Sequence, residues 1–309
     1  MADSTQNQKE TTGSITLYVD VVSPFAYLAY YMLRNHPLFR SVEINYTPIF
    51  LGGLLKACNN RAPLEIKNKD KWINIERLRW AHQFGIPMSS DAPEGFPKPT
   101  IQAMRFLTAL QIVRPDLVPL ALDTLYAIIW TDDGYKLRQE DKKTQSAGDT
   151  GNKFNERSGL VFDQPEQQGQ SLTTAKRNPT SQFNERSGLT MHNDKNTGSE
   201  SKPPMSQLID PAFFGPILAK VLGQDVVAEI LGKHISSPQV KKQLSANMDQ
   251  AIADGAFGLP WFKCRNRRGE VEGFWGFDHL GQVVRFLGLD DDDDNNDGKG
   301  RGQKIRALL

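Results

Sequence analysis

The chain has 309 residues, room for one large or two small domains, and 39% of it is hydrophobic, with 16 Phe, 7 Tyr and 5 Trp to build a core. A formal net charge of +1 excludes a protein held to nucleic acid by a basic surface, and no apolar run reaches the ~20 residues that cross a bilayer. The polar opening stretch lacks an apolar signal core, so the two cysteines, Cys58 and Cys264, are expected as reduced thiols of an intracellular protein.

In chain order, residues 15–21 alternate apolar and polar side chains and predict a strand. Ser23 followed by Pro24 predicts a helix start, the serine as cap and the proline in the first turn, with the helix over 25–33. Alternation over 42–47, ended by Pro48, predicts a second strand, so the opening reads as a βαβ unit of a parallel sheet. Helices are expected over 71–84, with Trp72, Ile75, Leu78 and Ala81 on the inner stripe, over 100–113 with Thr100 as cap, and over 117–130. Three more follow: one opened by Asp210 and Pro211, one at 224–233 and one at 238–254.

Strand character returns at 259–264 and 271–277 around a turn at 266–269, predicting a hairpin, and Asp278 is expected to cap a last helix over 280–287. The two ends of the chain thus supply a β-α-β half and a β-β-α half around a helical block. The fold class is α/β, a thioredoxin-like fold with an inserted all-helical domain. The divisions are a disordered N-terminus at 1–14, the first thioredoxin-like half at 15–50, the helical domain at 51–255, the second half at 256–289 and a charged tail at 290–309. Within the helical domain, residues 138–204 are rich in Asn, Gln, Ser, Thr and Lys and cannot bury enough surface to offset ordering, so disorder is expected. In that stretch, Phe-Asn-Glu-Arg-Ser-Gly-Leu at 154–160 recurs at 183–189.

Three motifs carry chemistry. Ser23-Pro24-Phe25-Ala26 stands at the strand-to-helix junction where thioredoxin-like redox proteins place Cys-x-x-Cys; both cysteine positions are vacated, which excludes dithiol chemistry there. A serine hydroxyl can still donate to a bound thiolate. In Gly255-Ala-Phe-Gly-Leu-Pro260, a proline at a strand start predicts a cis peptide and a Leu259 backbone open to an extended peptide. In Gly276-Phe-Asp278, the carboxylate beside a helix start suits a ligand's amino group.

With Tyr18-Val-Asp20-Val-Val-Ser23-Pro24 and 103–109 (Ala-Met-Arg-Phe-Leu-Thr-Ala), these motifs resemble kappa-class glutathione transferases and the related 2-hydroxychromene-2-carboxylate isomerases, over 15 to about 130 and 210–289. The resemblance implies glutathione as co-substrate, a small electrophile as second substrate and a homodimer. By motif it implies that Ser23 contacts the glutathione sulfur, lined by Pro24 and Phe25, and that Asn60 lies beside the glycyl end. Leu259 and Pro260 would then meet the cysteinyl part, and Phe277 and Asp278 the γ-glutamyl end. The implied activity is conjugation to electrophiles or peroxide reduction; the alternatives are a glutathione-dependent cis–trans isomerase, or an adaptor acting through the repeated motif. The histidines have no metal-ligand spacing, so no metal is assigned. No membrane span or nucleic-acid partner is expected. The cytoplasm is the default compartment, with mitochondrion and peroxisome as alternatives.

Overall fold

The computed structural model describes residues 13–134 and 202–289. Most of the expected N-terminal, inserted and C-terminal disordered stretches, with both copies of the repeated motif, lie outside the described residues. Two edges differ from expectation: Gly13 and Ser14 already belong to the first strand, and Lys202 is fixed by hydrogen bonds.

Four strands form one mixed sheet in the order β2-β1-β3-β4: β1 (Gly13–Val19), β2 (Glu43–Pro48), β3 (Trp261–Asn266) and β4 (Val271–Trp275). β1 runs parallel to β2 and antiparallel to β3, and β4 returns antiparallel along β3. Helix α1 (Pro24–Asn35) makes the parallel crossover between β1 and β2. Helices α2 (Leu51–Ala57), α3 (Lys69–Phe84), α4 (Ile101–Val113), α5 (Val118–Trp130), α6 (Met205–Leu208), α7 (Pro211–Leu222), α8 (Gln224–Glu229) and α9 (Pro238–Ala253) all fall between β2 and β3, and α10 (Leu280–Phe286) follows β4. The thioredoxin-like sheet with a helical insertion expected from the pattern is the fold observed.

The period-2 alternation of β1 sorts its side chains onto two faces. Ile15, Leu17 and Val19 enter the main core with Leu28 of α1, Phe106 of α4 and Ile129 of α5. Tyr18 points to the other face, into a smaller cluster with Ile49, Leu54, Ala251 and Trp261. The inserted helices therefore share the core of the sheet.

Local signals placed the proline-started helices well. Asp210 caps α7 by accepting from the Ala212 N–H at 2.8 Å, and Ser237 caps α9 by accepting from Val240 at 3.2 Å. Helix α2 carries no such signal: Phe50 precedes it without a capping bond, and two of its residues are glycines. Thr100 precedes α4 but does not cap it, because its hydroxyl donates to Asp20 instead. The expected inner stripe of α3 is also corrected: Trp72 is 51% and Ile75 47% exposed, while Arg77 and Ala81 are buried. Arg77 turns inward because the carbonyls of Ser89 and Ser90 accept from its guanidinium, each at 2.7 Å.

Candidate functional site

Sheet register decides which loops meet. Pairing of Tyr18 with Trp261 sets the chain leaving β1 beside the chain entering β3. Trp261 opposite Trp275 brings the residues after β4 to the same edge, and Val19 beside Pro48 brings those after β2. Ser23, Asn60, Leu259, Pro260, Phe277 and Asp278 all lie on these four loops, at the carboxyl ends of β1, β2 and β4, the edge where open α/β sheets bind ligands.

Ser23 is the N-cap of α1. Its Oγ accepts from the Ala26 N–H at 3.1 Å and its carbonyl accepts from Tyr27 N–H at 3.1 Å. The side chain is nearly buried, yet no acceptor for its own hydroxyl hydrogen stands within hydrogen-bond distance among the described residues. Pro24 is buried and Phe25 half-buried beside it. The helix behind them has 12 residues, so its unsatisfied first N–H groups present a partial positive charge at the serine.

Behind the serine lies Asp20, fully buried at the end of β1. Its carboxylate accepts from Val22 N–H at 3.1 Å, Leu51 N–H at 2.9 Å and the Thr100 hydroxyl at 2.6 Å. One side chain thus ties the β1–α1 turn to the starts of α2 and α4. Burial pushes the carboxyl up to about 6 against the opposing pull of these hydrogen bonds. Sequence reading placed Asp20 only at a strand end; a polar residue closing an apolar strand was the signal available.

The Leu259–Pro260 bond is cis. Among the described residues neither the N–H nor the carbonyl of Leu259 has a hydrogen-bond partner, while the Pro260 carbonyl accepts from Gly276 N–H at 3.0 Å. Asn60 donates from Nδ2 to the Phe257 carbonyl at 2.8 Å and accepts from Arg61 N–H at 2.9 Å, stitching the turn after α2 to this segment. Cys58 does the same more weakly, 3.5 Å from the Ala256 carbonyl.

Phe277 is buried, its ring packed edge-on to Trp80 and Phe84 at 5.6 Å from each. The side chain belongs to the core, which leaves the backbone to face a ligand. Gly276 before it has φ 93°, and a Cβ there would collide with the Asp278 carboxylate. Asp278 is corrected as a cap. It sits in a 3₁₀ turn (Phe277–His279), makes no capping bond, and approaches His279 Nδ1 at 3.3 Å without hydrogen-bond alignment. Its carboxylate is exposed beside the open Leu259 backbone.

Other candidates separate from this cluster. Trp72 is exposed, with the Arg79 guanidinium 5.3 Å over its ring. Phe84 packs on Phe277. Cys264 is buried, and burial pushes its thiol up to about 12. No group of acidic, cysteine or histidine side chains among the described residues is arranged to hold a metal, and no helix among them is long and apolar enough to cross a membrane.

Residues 14–158 match the DSBA-like thioredoxin domain. Curated relatives are glutathione S-transferase kappa 1 of Rattus norvegicus, 29% identical over 124 residues, and of Homo sapiens, 24% identical over 123. Each match covers 38% of this chain and 54% of the relative, so the chain spans about half the length of the curated relatives it matches. Among solved structures, a 2-hydroxychromene-2-carboxylate isomerase superposes with a TM-score of 0.56 at 14% identity, over 92% of this chain and 100% of the other. A probable DsbA oxidoreductase from Streptomyces coelicolor gives 0.50 at 13% identity, over 93% of each chain; both likenesses are of fold. The chain thus carries a DsbA-like thioredoxin domain and is similar in sequence to the kappa-class glutathione transferases.

Proposed function

We propose that this chain is a glutathione transferase. Glutathione lies extended against the free backbone of Leu259, its γ-glutamyl amino group near Asp278 and its sulfur at Ser23. The observation that carries the reading is the Ser23 hydroxyl: capped from below by Ala26 N–H, it keeps its own hydrogen for an acceptor at the tip of α1. A thiolate is such an acceptor. Donation from the hydroxyl and the partial positive charge of the helix start both favour the thiolate over the thiol, and each ~1.4 kcal/mol of preference lowers the thiol pKa by one unit. With no cysteine at 23 or 26, the serine cannot form a mixed disulfide and the bound thiolate stays available as a nucleophile. It attacks an electrophilic carbon, the leaving group departs with its bonding pair, and the thiol proton passes to solvent.

Isothermal calorimetry with glutathione, followed by conjugation of 1-chloro-2,4-dinitrobenzene, tests the proposal. Binding at millimolar concentration or tighter and release of chloride with the thioether are expected. Absence of glutathione binding to the folded chain overturns it.

A further inference from the structure

Next to Ser23 the chain encloses a small cavity of about 70 Å³ whose walls include Pro24, Asn74, Arg77, Phe96 and Trp130, with the exposed Asp70 at its rim. Pro24 belongs to both the sulfur position and this cavity, so a group seated here is one residue from the proposed nucleophile. Drug-sized ligands need roughly 300 Å³ or more. The space therefore takes one end of a molecule: a few waters, or one small polar group. A larger cavity of about 360 Å³ lies between α7 and α8, lined by residues such as Gly215, Ala219 and Leu231, and brings no nucleophile or converging polar groups together.

What marks the small cavity is its charge. Arg77 is 1% exposed, and its guanidinium has only neutral acceptors: Asn74 Oδ1 at 3.0 and 2.7 Å, the Ser89 carbonyl and the Ser90 carbonyl. These use all but one of its N–H groups. Its face lies 5.8 Å from the centre of the Trp130 ring. Among the described residues no carboxylate stands within ion-pair distance of it; Asp91 and the rim residue Asp70 are farther away. A second cation sharpens the imbalance. The Lys202 ammonium donates to the hydroxyl of the same Ser89 at 3.2 Å, and its nearest acid is Asp132. A buried cation without a counter-charge is costly, and a guanidinium with a free N–H beside an apolar ring suits a planar carboxylate.

We propose that this cavity is an anion subsite, and that the electrophile conjugated by the enzyme carries a carboxylate, held by Arg77 while its reactive carbon meets the sulfur at Ser23. This rests on the transferase reading above and names its substrate class.

The test compares 4-chloro-3-nitrobenzoate with the neutral 4-chloro-3-nitrobenzamide, each rate divided by its uncatalysed rate with glutathione. In both, the sulfur bonds to the chlorine-bearing carbon, chloride leaves with the C–Cl electron pair, and the thiol proton goes to solvent. A charge-assisted hydrogen bond predicts an acid-over-amide preference of about tenfold or more in kcat/KM for the unmodified protein. Arg77→Met is expected to bring the ratio to within about threefold, the span left when a single charged contact is lost. Because Arg77 also ties α3 to the Ser89 turn, Ala92→Asp serves as the second variant: it places a resident carboxylate at the cavity wall and should abolish the preference with glutathione binding retained. Benzoate, and not benzamide, should inhibit competitively against the electrophile. Equal acceleration of acid and amide by the unmodified protein, with glutathione bound, overturns the anion subsite alone. No glutathione binding at all overturns the transferase reading and this one with it.

Discussion

Ser23 has two roles, cap of α1 and proposed donor to sulfur, so its replacement should register in two measurements. Ser23→Ala is expected to lower the urea-derived stability by about 1 kcal/mol, as loss of an N-cap does. It should also reduce kcat/KM by about 10²-fold or less, the worth of one hydrogen bond to a charged centre. Unchanged turnover in a folded variant would remove the serine from the chemistry. Asp20 yields a pH signature. Its carboxyl stands near 6 when folded against an ordinary value near ~4 in the unfolded chain, so the folded state holds more protons between those values. Its contribution to stability is therefore full below about pH 4 and lost as pH rises through about 6. In Asp20→Asn that part of the urea-midpoint profile should flatten; a profile of unaltered slope would assign the titration elsewhere. The thiols differ as well. Cys264 is buried with its pKa pushed up, while Cys58 is partly accessible, so a thiol reagent should label the native chain faster at Cys58 and reach Cys264 only on unfolding.

Among the elements, the turn after β4 depends on one ring. Phe277 wedges between Trp80 and Phe84 and so fixes the backbone that carries Asp278 to α3. Phe277→Ala should cost about 3–5 kcal/mol in urea unfolding, a core-cavity penalty, whereas Asp278→Ala should leave stability nearly unchanged, since its carboxylate caps nothing. These contrasts mark what the residues alone could disclose. Helices announced by a polar cap and a following proline, at 23–24, 210–211 and 237–238, were legible because the signal is local. The strands were legible because their alternation reflects two buried faces. Helix α2, the diverted hydroxyl of Thr100 and the inward turn of Arg77 were not, because each is settled by a partner remote in sequence: Asp20 for the first two, the Ser89 turn for the third. For the candidate site, motif order placed Ser23, Leu259 and Asp278 on loops that the sheet register brings to one edge, while the roles of Asp20 and Arg77 needed the fold.

On the scale of the whole molecule, the segment 135–201 leaves and rejoins the described structure at nearly one place. Lys202 donates to the carbonyls of Ile129 and Thr131 at 2.6 and 3.1 Å, at the end of the helix from which the chain departs, and Met205 N–H then donates to the Glu94 carbonyl at 2.8 Å. The ammonium satisfies carbonyls that a helix end leaves open. Replacing residues 136–200 with a short Gly-Ser linker should therefore leave the melting temperature and glutathione binding unchanged, whereas Lys202→Met should lower the melting temperature. A truncated chain that fails to fold would show that the segment contributes to the core. The lysine fastening works as a grommet: it closes the frame around whatever passes through it. Lengthening the threaded segment twofold raises the closure cost by only about 0.6 kcal/mol, so this point in the scaffold is suited to accept a fused reporter or a second module without disturbing the catalytic edge.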